Sequence, residues 1–308
     1  MSRKLKFRED GSFIIVQFTD VHWTNGSEQD LKSSALMREV LEKEKPDLVV
    51  FTGDTSVSED NLNSLRKALA PVNEAQIPFA VVFGNHDDEE GESKAALLAV
   101  QQESDLCLTE AGDPNISGLC NYILKISSHD GKKTDRILYM FDSGTYNNNQ
   151  KVEGYGFIKR DQIRWYINSS RSIKKHCGDI PALAFFHIPL PEYNDVWYQK
   201  TCYGEKNEPV CCPKQNSGLF SAMLEMGDVK GIFVGHDHVN DYYGELYGIK
   251  LHYGRATGYN TYGHENFARG ARIIKLKEGR PEFESWLRLD DGTVVKNQAV
   301  HLPDPNCL

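Results

Sequence analysis

Two rhythms of apolar residues run along the chain: short unbroken runs of strand length, and longer stretches in which apolar positions return every three or four residues. Residues 12–19 (SFIIVQFT) read as a buried strand. Residues 31–44 read as a helix that turns Leu31, Ala35, Leu36, Val40 and Leu41 toward a core, and Pro46 ends it. A strand at 48–51, a helix at 61–74 and a strand at 79–83 follow, so the first 90 residues look like repeated βα units. Such units imply parallel strands, and ligands in parallel sheets gather at the carboxyl ends of the strands.

An acidic stretch at 88–92 reads as a helix start, 122–126 and 136–141 as strands, and 146–150 as part of a polar linker. A helix at 161–175 and a strand at 182–186 come next. Residues 189–215 show little periodicity and read as a long loop, whose usual purpose is a lid or a specificity insert. A helix at 217–226 and a strand at 231–234 precede three alternating stretches, 242–253, 271–276 and 282–289, that read as antiparallel strands. No internal repeat and no clean boundary divides the chain. The expectation is an α/β protein with two packed sheets, a single domain over 1–308 carrying a lid or specificity insert at 189–216.

Composition narrows the function classes. The 308 residues carry 35 Lys plus Arg against 44 Asp plus Glu, a formal charge of -9, which argues against a nucleic-acid backbone binder. The apolar run near the start is too short for a signal peptide or a membrane span, so the chain as given reads as cytoplasmic; a removed leader would make it secreted or periplasmic. Seven cysteines, at 107, 120, 177, 202, 211, 212 and 307, lack the paired CxxC spacing of structural zinc. Cys202 with Cys211 or Cys212 leaves room for one loop disulfide in an oxidising compartment, with free thiols as the alternative.

The chemistry sits where strands end. Five apolar runs finish in Thr19-Asp20-Val21-His22, Thr52-Gly53-Asp54, Gly84-Asn85-His86-Asp87, His187, and Gly235-His236-Asp237-His238. One Asp after a strand is more often a turn residue or helix cap, and a lone histidine such as His129, His176 or His301 is ordinarily a surface group. Five such endings in order, on strands lying side by side in one sheet, would converge on a single spot. Side chains two apart in extended backbone point the same way, so Asp20 with His22, and His236 with His238, would face one cleft. The donors are nitrogen and oxygen without thiolate, which suits Zn, Fe or Mn.

This order of motifs, from position 20 to 238, resembles the calcineurin-like metallophosphoesterase superfamily, and Gly235 to Asp241 with Tyr253-Gly254 and Gly258-Tyr259 resembles its purple-acid-phosphatase-like branch. The resemblance implies a four-layer αββα sandwich with two mixed β-sheets, holding two divalent or trivalent metal ions drawn from Fe, Mn and Zn about 3.5 to 4 Å apart. It implies Asp20, His22 and His238 as ligands of one ion, Asn85, His187 and His236 of the other, and Asp54 bridging. It implies His86 beside the substrate, with Asp87 orienting and polarising it. Thr55, Ser56 and Val57 follow Asp54 with no tyrosine among them, so a colourless or weakly coloured centre is expected.

The implied reaction is hydrolysis of a phosphomonoester by a metal-bridging hydroxide, with charge on the phosphoryl oxygens neutralised by the ions and His86, and a proton from His86 for the leaving group. The substrate would be a small-molecule phosphate ester or a phosphoprotein. A phosphodiesterase for cyclic nucleotides or other small diesters is the alternative, since Asp-x-His is common among diesterases of the superfamily. A non-catalytic metal-binding scaffold is the other class, and lost ligands would be its mark. No G-x-S-x-G elbow supports a serine esterase. Arg255 and Tyr259 are candidate substrate contacts, Arg255 as a charged donor to a phosphate oxygen, with a solvent-exposed or carboxylate-paired arginine as the alternative. Tyr193, Trp197, Tyr198 and Tyr203 would pack on the substrate if 189–215 folds over the cleft, with plain packing into the fold as the equal alternative. The oligomeric state is not legible.

Overall fold

The computed structural model describes residues 4–149 and 151–303; Gln150 of the expected linker and Cys307 lie outside the described residues. The first half of the chain runs β1 (Leu5–Lys6), β2 (Ser12–Phe18), α1 (Glu28–Glu44), β3 (Leu48–Thr52), α2 (Asn61–Ala68), α3 (Ala70–Glu74), β4 (Phe79–Val82), α4 (Lys94–Gln101), β5 (Tyr122–Ser127) and β6 (Thr134–Met140). Then come α5 (Arg160–Cys177), β7 (Ala182–Phe185), α6 (Glu192–Gln199), β8 (Cys202–Tyr203), α7 (Leu219–Met226) and β9 (Val229–Val234). The chain closes with β10 (Tyr243–Leu246), β11 (Ile249–Tyr253), β12 (Gly270–Lys277), β13 (Phe283–Leu289), β14 (Val294–Val295) and β15 (Val300–His301).

The strands form two mixed sheets, one of nine in the order β1-β5-β6-β7-β9-β11-β10-β8-β15 and one of six in the order β14-β13-β12-β2-β3-β4. Alternation along each strand builds the layers. Leu138, Met140, Leu183, Phe185 and Phe233 of the larger sheet join Ile273 and Phe283 of the smaller in one core. Their neighbours Ile137, Tyr139, Ala182, Ala184, Ile232 and Val234 face the other way, against Tyr166 of α5 and Phe220 and Met223 of α7. Leu36, Met37, Leu65 and Val72 of α1 to α3 belong to the first core. The result is an α/β sandwich of two mixed sheets flanked by helices, seven of them among the described residues.

Local chemistry explains most element limits. Ser27 caps α1 in a reciprocal box with Asp30, and Lys45 ends it in a left-handed conformation just before Pro46. The buried stripe of α1 runs through Ser33, Ser34, Leu36, Met37, Val40 and Leu41, so Leu31 and Ala35, expected inward, are exposed. The helix expected over 61–74 is two helices, because Pro71 has no N–H to continue the ladder. The stretch 88–92 is a turn, and α4 begins only after Gly91 at φ +82°.

The region 189–215 differs most from expectation, since it contains α6 and β8. Tyr193 is fully buried and donates its hydroxyl hydrogen to His252 O at 3.0 Å, while Trp197 stacks on His301. These two rings therefore pack into the fold and do not cover the cleft. The six described cysteines are free, with Cys202 buried and its thiol directed at Val196 O, so the loop disulfide is not formed. No described helix is long and apolar enough to cross a membrane.

Candidate metal centre

The five polar strand endings do meet, but not within one sheet. β2, β3 and β4 belong to the six-stranded sheet and deliver Asp20 and His22, Asp54, and Asn85 with His86. β7 and β9 belong to the nine-stranded sheet and deliver His187, and His236 with His238. The centre thus lies where the carboxyl-end edges of the two sheets come together.

Backbone conformation aims the ligands. Asp20, His22, Asp54 and His236 all have positive φ, at 53°, 47°, 50° and 78°. An L-residue is strained there, and such strain persists only where the surroundings impose it. The expected extended Asp20-Val21-His22 segment is therefore replaced by a left-handed kink at both ligands. Two glycines allow the strands to close around them. A Cβ on Gly84 would stand 2.1 Å from Asp54 Oδ1, and one on Gly235 would stand 1.9 Å from Thr19 Oγ1.

Two groups of donors result, and Asp54 is in both. Asp20, His22, Asp54 and His238 form one, Asp54, His187 and His236 the other, with ligand atoms in each within 4.8 Å of one another. Asn85 adjoins the second, its Oδ1 lying 3.1 Å from His187 Nε2. Asp54 Oδ2 lies 3.1 Å from His187 Nε2 and 3.6 Å from His22 Nε2, and Asp20 Oδ1 lies 3.3 Å from His238 Nε2. All seven side chains are buried. Asp54 Oδ2, His22 Nε2 and His236 Nε2 have no hydrogen-bond partner, a cost that a cation among them would remove. Fully buried N/O donors with orphaned atoms turned toward one another fit metal ions.

Outer contacts hold the donors in place. His187 Nδ1 lies 2.8 Å from Thr52 O, so that nitrogen carries the hydrogen and Nε2 is left for a ligand. His238 Nδ1 is held by Thr261 Oγ1. The Asp20 carboxylate accepts from His236 N at 3.1 Å and from Thr19 Oγ1 at 2.7 Å, and Asp54 Oδ1 accepts from His86 N at 2.8 Å.

Charge is unbalanced within this cage. Burial pushes the His22 and His236 rings down, to about 4 and about 3, so both are neutral at physiological pH. Burial also opposes charge on His187, yet the Asp54 carboxylate outweighs it and lifts the ring to about 9. Burial pushes Asp20 up, and the bond and charge of His238 pull it further down, to about 2. Two ionised carboxylates thus sit beside the neutral rings of His22 and His236, with a proton on His187 where a cation belongs.

His86 is half-exposed beside the centre, its ring centroid 5.5 Å from that of His22. Its expected partner Asp87 is occupied elsewhere. Asp87 Oδ2 accepts from Gly84 N at 2.7 Å and Asp54 N at 3.0 Å, and Oδ1 from Thr55 N at 2.8 Å and Ser56 N at 3.2 Å. Asp87 therefore fastens the loops that carry Asp54 and Asn85. The carboxylate on His86 Nδ1 is that of Glu89, which also accepts from the Tyr146 hydroxyl at 3.2 Å. Within the acidic run Asp88 to Glu90 the sequence offers no way to choose among the side chains.

Arg255 and Tyr259 are also committed away from the centre. Arg255 is buried over the Phe267 ring, donating to Asp241 Oδ2 at 2.5 Å and to Ala268 O at 2.6 Å, and Tyr259 donates to Asp290 at 2.5 Å. Neither meets the expectation of a phosphate contact, because the hydrogen bonds that satisfy them are internal. Sequence reading also missed the group of Glu208, Cys211 and Asp237, the last of which stands between His236 and His238 in the chain. Three tyrosines went unnoticed as well. Tyr155 sets its ring edge-on to His236 at 4.3 Å and stacks with Tyr146, and Tyr262 stacks on His238 at 4.3 Å.

Comparison with known proteins agrees with this geometry. The family model described as calcineurin-like phosphoesterase matches residues 13–240, spanning every donor described above. The chain belongs to that family. Its relatives include purple-acid-phosphatase-like proteins. One from Arabidopsis thaliana, named probable inactive purple acid phosphatase 29, is 35% identical over 97% of this chain and 88% of its own length. Phosphatase DCR2 of Saccharomyces cerevisiae is 35% identical over 78% of this chain and 46% of its own. The crystal structure of a dimetal phosphatase from Danio rerio superposes with a TM-score of 0.58 over 89% of this chain and 98% of that one, at 16% identity, a likeness of fold. In this calcineurin-like phosphoesterase the dinuclear donor set characteristic of the family is intact.

Proposed function

We propose that the protein hydrolyses phosphomonoesters with two metal ions drawn from Fe, Mn and Zn. The observation that carries the reading is that Asp54 is shared by two complete, buried donor groups. Some relatives are named probable inactive purple acid phosphatases, and a degenerate centre would favour the scaffold reading here. The full complement of Asp20, His22, Asp54, Asn85, His187, His236 and His238 favours activity instead. The yeast relative named a phosphatase favours the monoester over the diester.

When bound, the ions supply Lewis acidity toward the phosphoryl oxygens and lower the pKa of water at the centre. The protein's own residues do the rest. Asp54, whose Oδ1 is fixed by His86 N, holds the two groups in register. Glu89 takes His86 Nδ1, and Nε2 is the atom that would give a proton to the departing alkoxide or aryloxide. Asp87 keeps Asp54 in place through its backbone bonds.

The test is reconstitution with Mn, Fe or Zn and comparison of kcat/KM for an aryl phosphomonoester and the matched diester. A ratio well above one is expected. A ratio well below one replaces the reading with a phosphodiesterase, and tight metal binding with no hydrolysis of either ester replaces it with a scaffold.

A further inference from the structure

Tyrosine rings stand on both the His236 and the His238 flank of the metal centre. On the His236 side Tyr155 stands against the ligand ring, and Tyr146 stacks on Tyr155 with centroids 5.7 Å apart, 47% exposed. Its hydroxyl donates to Glu89 Oε1. On the His238 side Tyr262 covers the ligand ring, is 53% exposed, and donates to Glu208 Oε2 at 2.7 Å. Each exposed tyrosine therefore has one face occupied, a carboxylate at its hydroxyl, and surface left open.

These rings are fixed before any substrate arrives. Arg269 donates to Thr261 O and Tyr262 O at 3.0 and 2.8 Å, and Thr261 itself holds His238. Glu208 takes a second bond from Val239 N at 2.8 Å. Among the described residues Glu89 is paired with His86, and no lysine or arginine is paired with Glu89 or Glu208. Aromatic faces beside carboxylates that no lysine or arginine pairs attract a positive group and repel a second anion. A hydroxyl that donates to a carboxylate makes its ring more electron-rich, which strengthens the same preference.

Resting on the phosphomonoesterase reading, we infer that the preferred substrate is a phosphate ester whose leaving group carries an ammonium cation within a few bonds of the ester oxygen. Tyr146, Tyr155 and Tyr262 with Glu89 and Glu208 are its specificity determinants. Polyanionic leaving groups, such as nucleotides bearing further phosphates, are disfavoured by the same carboxylates.

The experiment uses the full chain, reconstituted with Mn or Zn, and two probes of one shape. Phosphocholine carries a trimethylammonium group, and 3,3-dimethylbutyl phosphate carries a neutral tert-butyl group in its place. Wild type is expected to favour phosphocholine in kcat/KM by about tenfold or more, in line with a desolvated cation on aromatic faces. Tyr146→Leu and Tyr262→Leu should lower that ratio, and Tyr262→Phe, which keeps the ring, should retain most of it. Because the ratio is internal to each variant, partial loss of folded protein does not move it. Saturation-transfer NMR of choline against 3,3-dimethylbutanol, on protein without added metal, reads the same selectivity without turnover.

A wild-type ratio near or below one, or a ratio unchanged in both leucine variants, overturns the inference. Turnover of an aryl phosphate alongside such a ratio leaves the phosphatase reading standing while the inference falls. If no ester is turned over, that reading falls and the NMR comparison alone decides the inference: choline selectivity upholds it and equal binding overturns it.

Discussion

Replacing Asp54 by asparagine isolates the residue on which both donor groups depend. The change is nearly isosteric, and the amide oxygen can still accept from His86 N at the Oδ1 position, so the loop geometry should survive. What is lost is the negative charge at Oδ2, which lies 3.1 Å from His187 Nε2 and 3.6 Å from His22 Nε2. Unit charges about 4 Å apart at an effective dielectric of about 20 interact by about 4 kcal/mol. Because both groups include Asp54, each ion loses an interaction of that order, which corresponds to about a thousandfold in affinity per site. The amide nitrogen adds a donor where a ligand should be. The expected outcome is a folded protein that fails to retain two ions per chain and loses about three orders of magnitude or more in kcat/KM. Circular dichroism checks the fold, elemental analysis after gel filtration counts the metal, and aryl phosphate turnover reads the activity. His86→Ala should cost less, because it leaves both donor groups whole. Two retained ions per Asp54→Asn chain, with activity within tenfold of wild type, would refute the shared-carboxylate argument.

Other consequences are equally open to measurement. In the metal-free protein His187 is raised from about 6.5 unfolded to about 9 folded. Its share of the metal-free stability is therefore present below about pH 6.5 and lost as the pH rises through about 9. A metal must displace that proton, so affinity should rise up to about tenfold per pH unit below 9 and then level off, with proton release in calorimetry across several buffers. A pH-independent affinity between 6 and 9 would contradict this. Asp87→Ala leaves the N–H groups of Asp54, Thr55, Ser56 and Gly84 without their acceptor, at about 1 to 3 kcal/mol for each that finds no other. It should therefore lower the melting temperature and metal content together, whereas loss of kcat alone would return Asp87 to the role expected beside His86. Gly235→Ala drives a methyl group to 1.9 Å from Thr19 Oγ1 and 2.7 Å from Asp20 Oδ2. Overpacking of this kind costs about 1 to 3 kcal/mol and should weaken metal retention as well, visible as a lower melting temperature that added metal no longer raises.

The sequence by itself pointed to the family through the order of its motifs, and to the two-sheet α/β architecture and the polar strand endings through local pattern. Apolar runs of strand length specify β2, β3, β4, β7 and β9, and five such runs in order each closing in Asp, Asn or His point to a site where one alone would be a turn or a cap. Tertiary structure decided how those endings meet. Three come from one sheet and two from the other, and left-handed kinks at Asp20, His22, Asp54 and His236 turn the side chains inward. Pairwise partners were likewise beyond local pattern. Nothing in Asp87-Asp88-Glu89-Glu90 says that Asp87 will collect four backbone N–H groups while Glu89 takes His86. Arg255 stayed open between a phosphate contact and a carboxylate pair because a sequence lists its charge and not its neighbours, and the fold pairs it with Asp241. Tyr146, Tyr155 and Tyr262 lie up to 116 positions apart along the chain, and only packing brings them to the flanks of one metal centre. Composition and periodicity mark which stretches are apolar or polar; long-range contacts, which depend on strand order and loop path, fix which residues are buried and which of them touch.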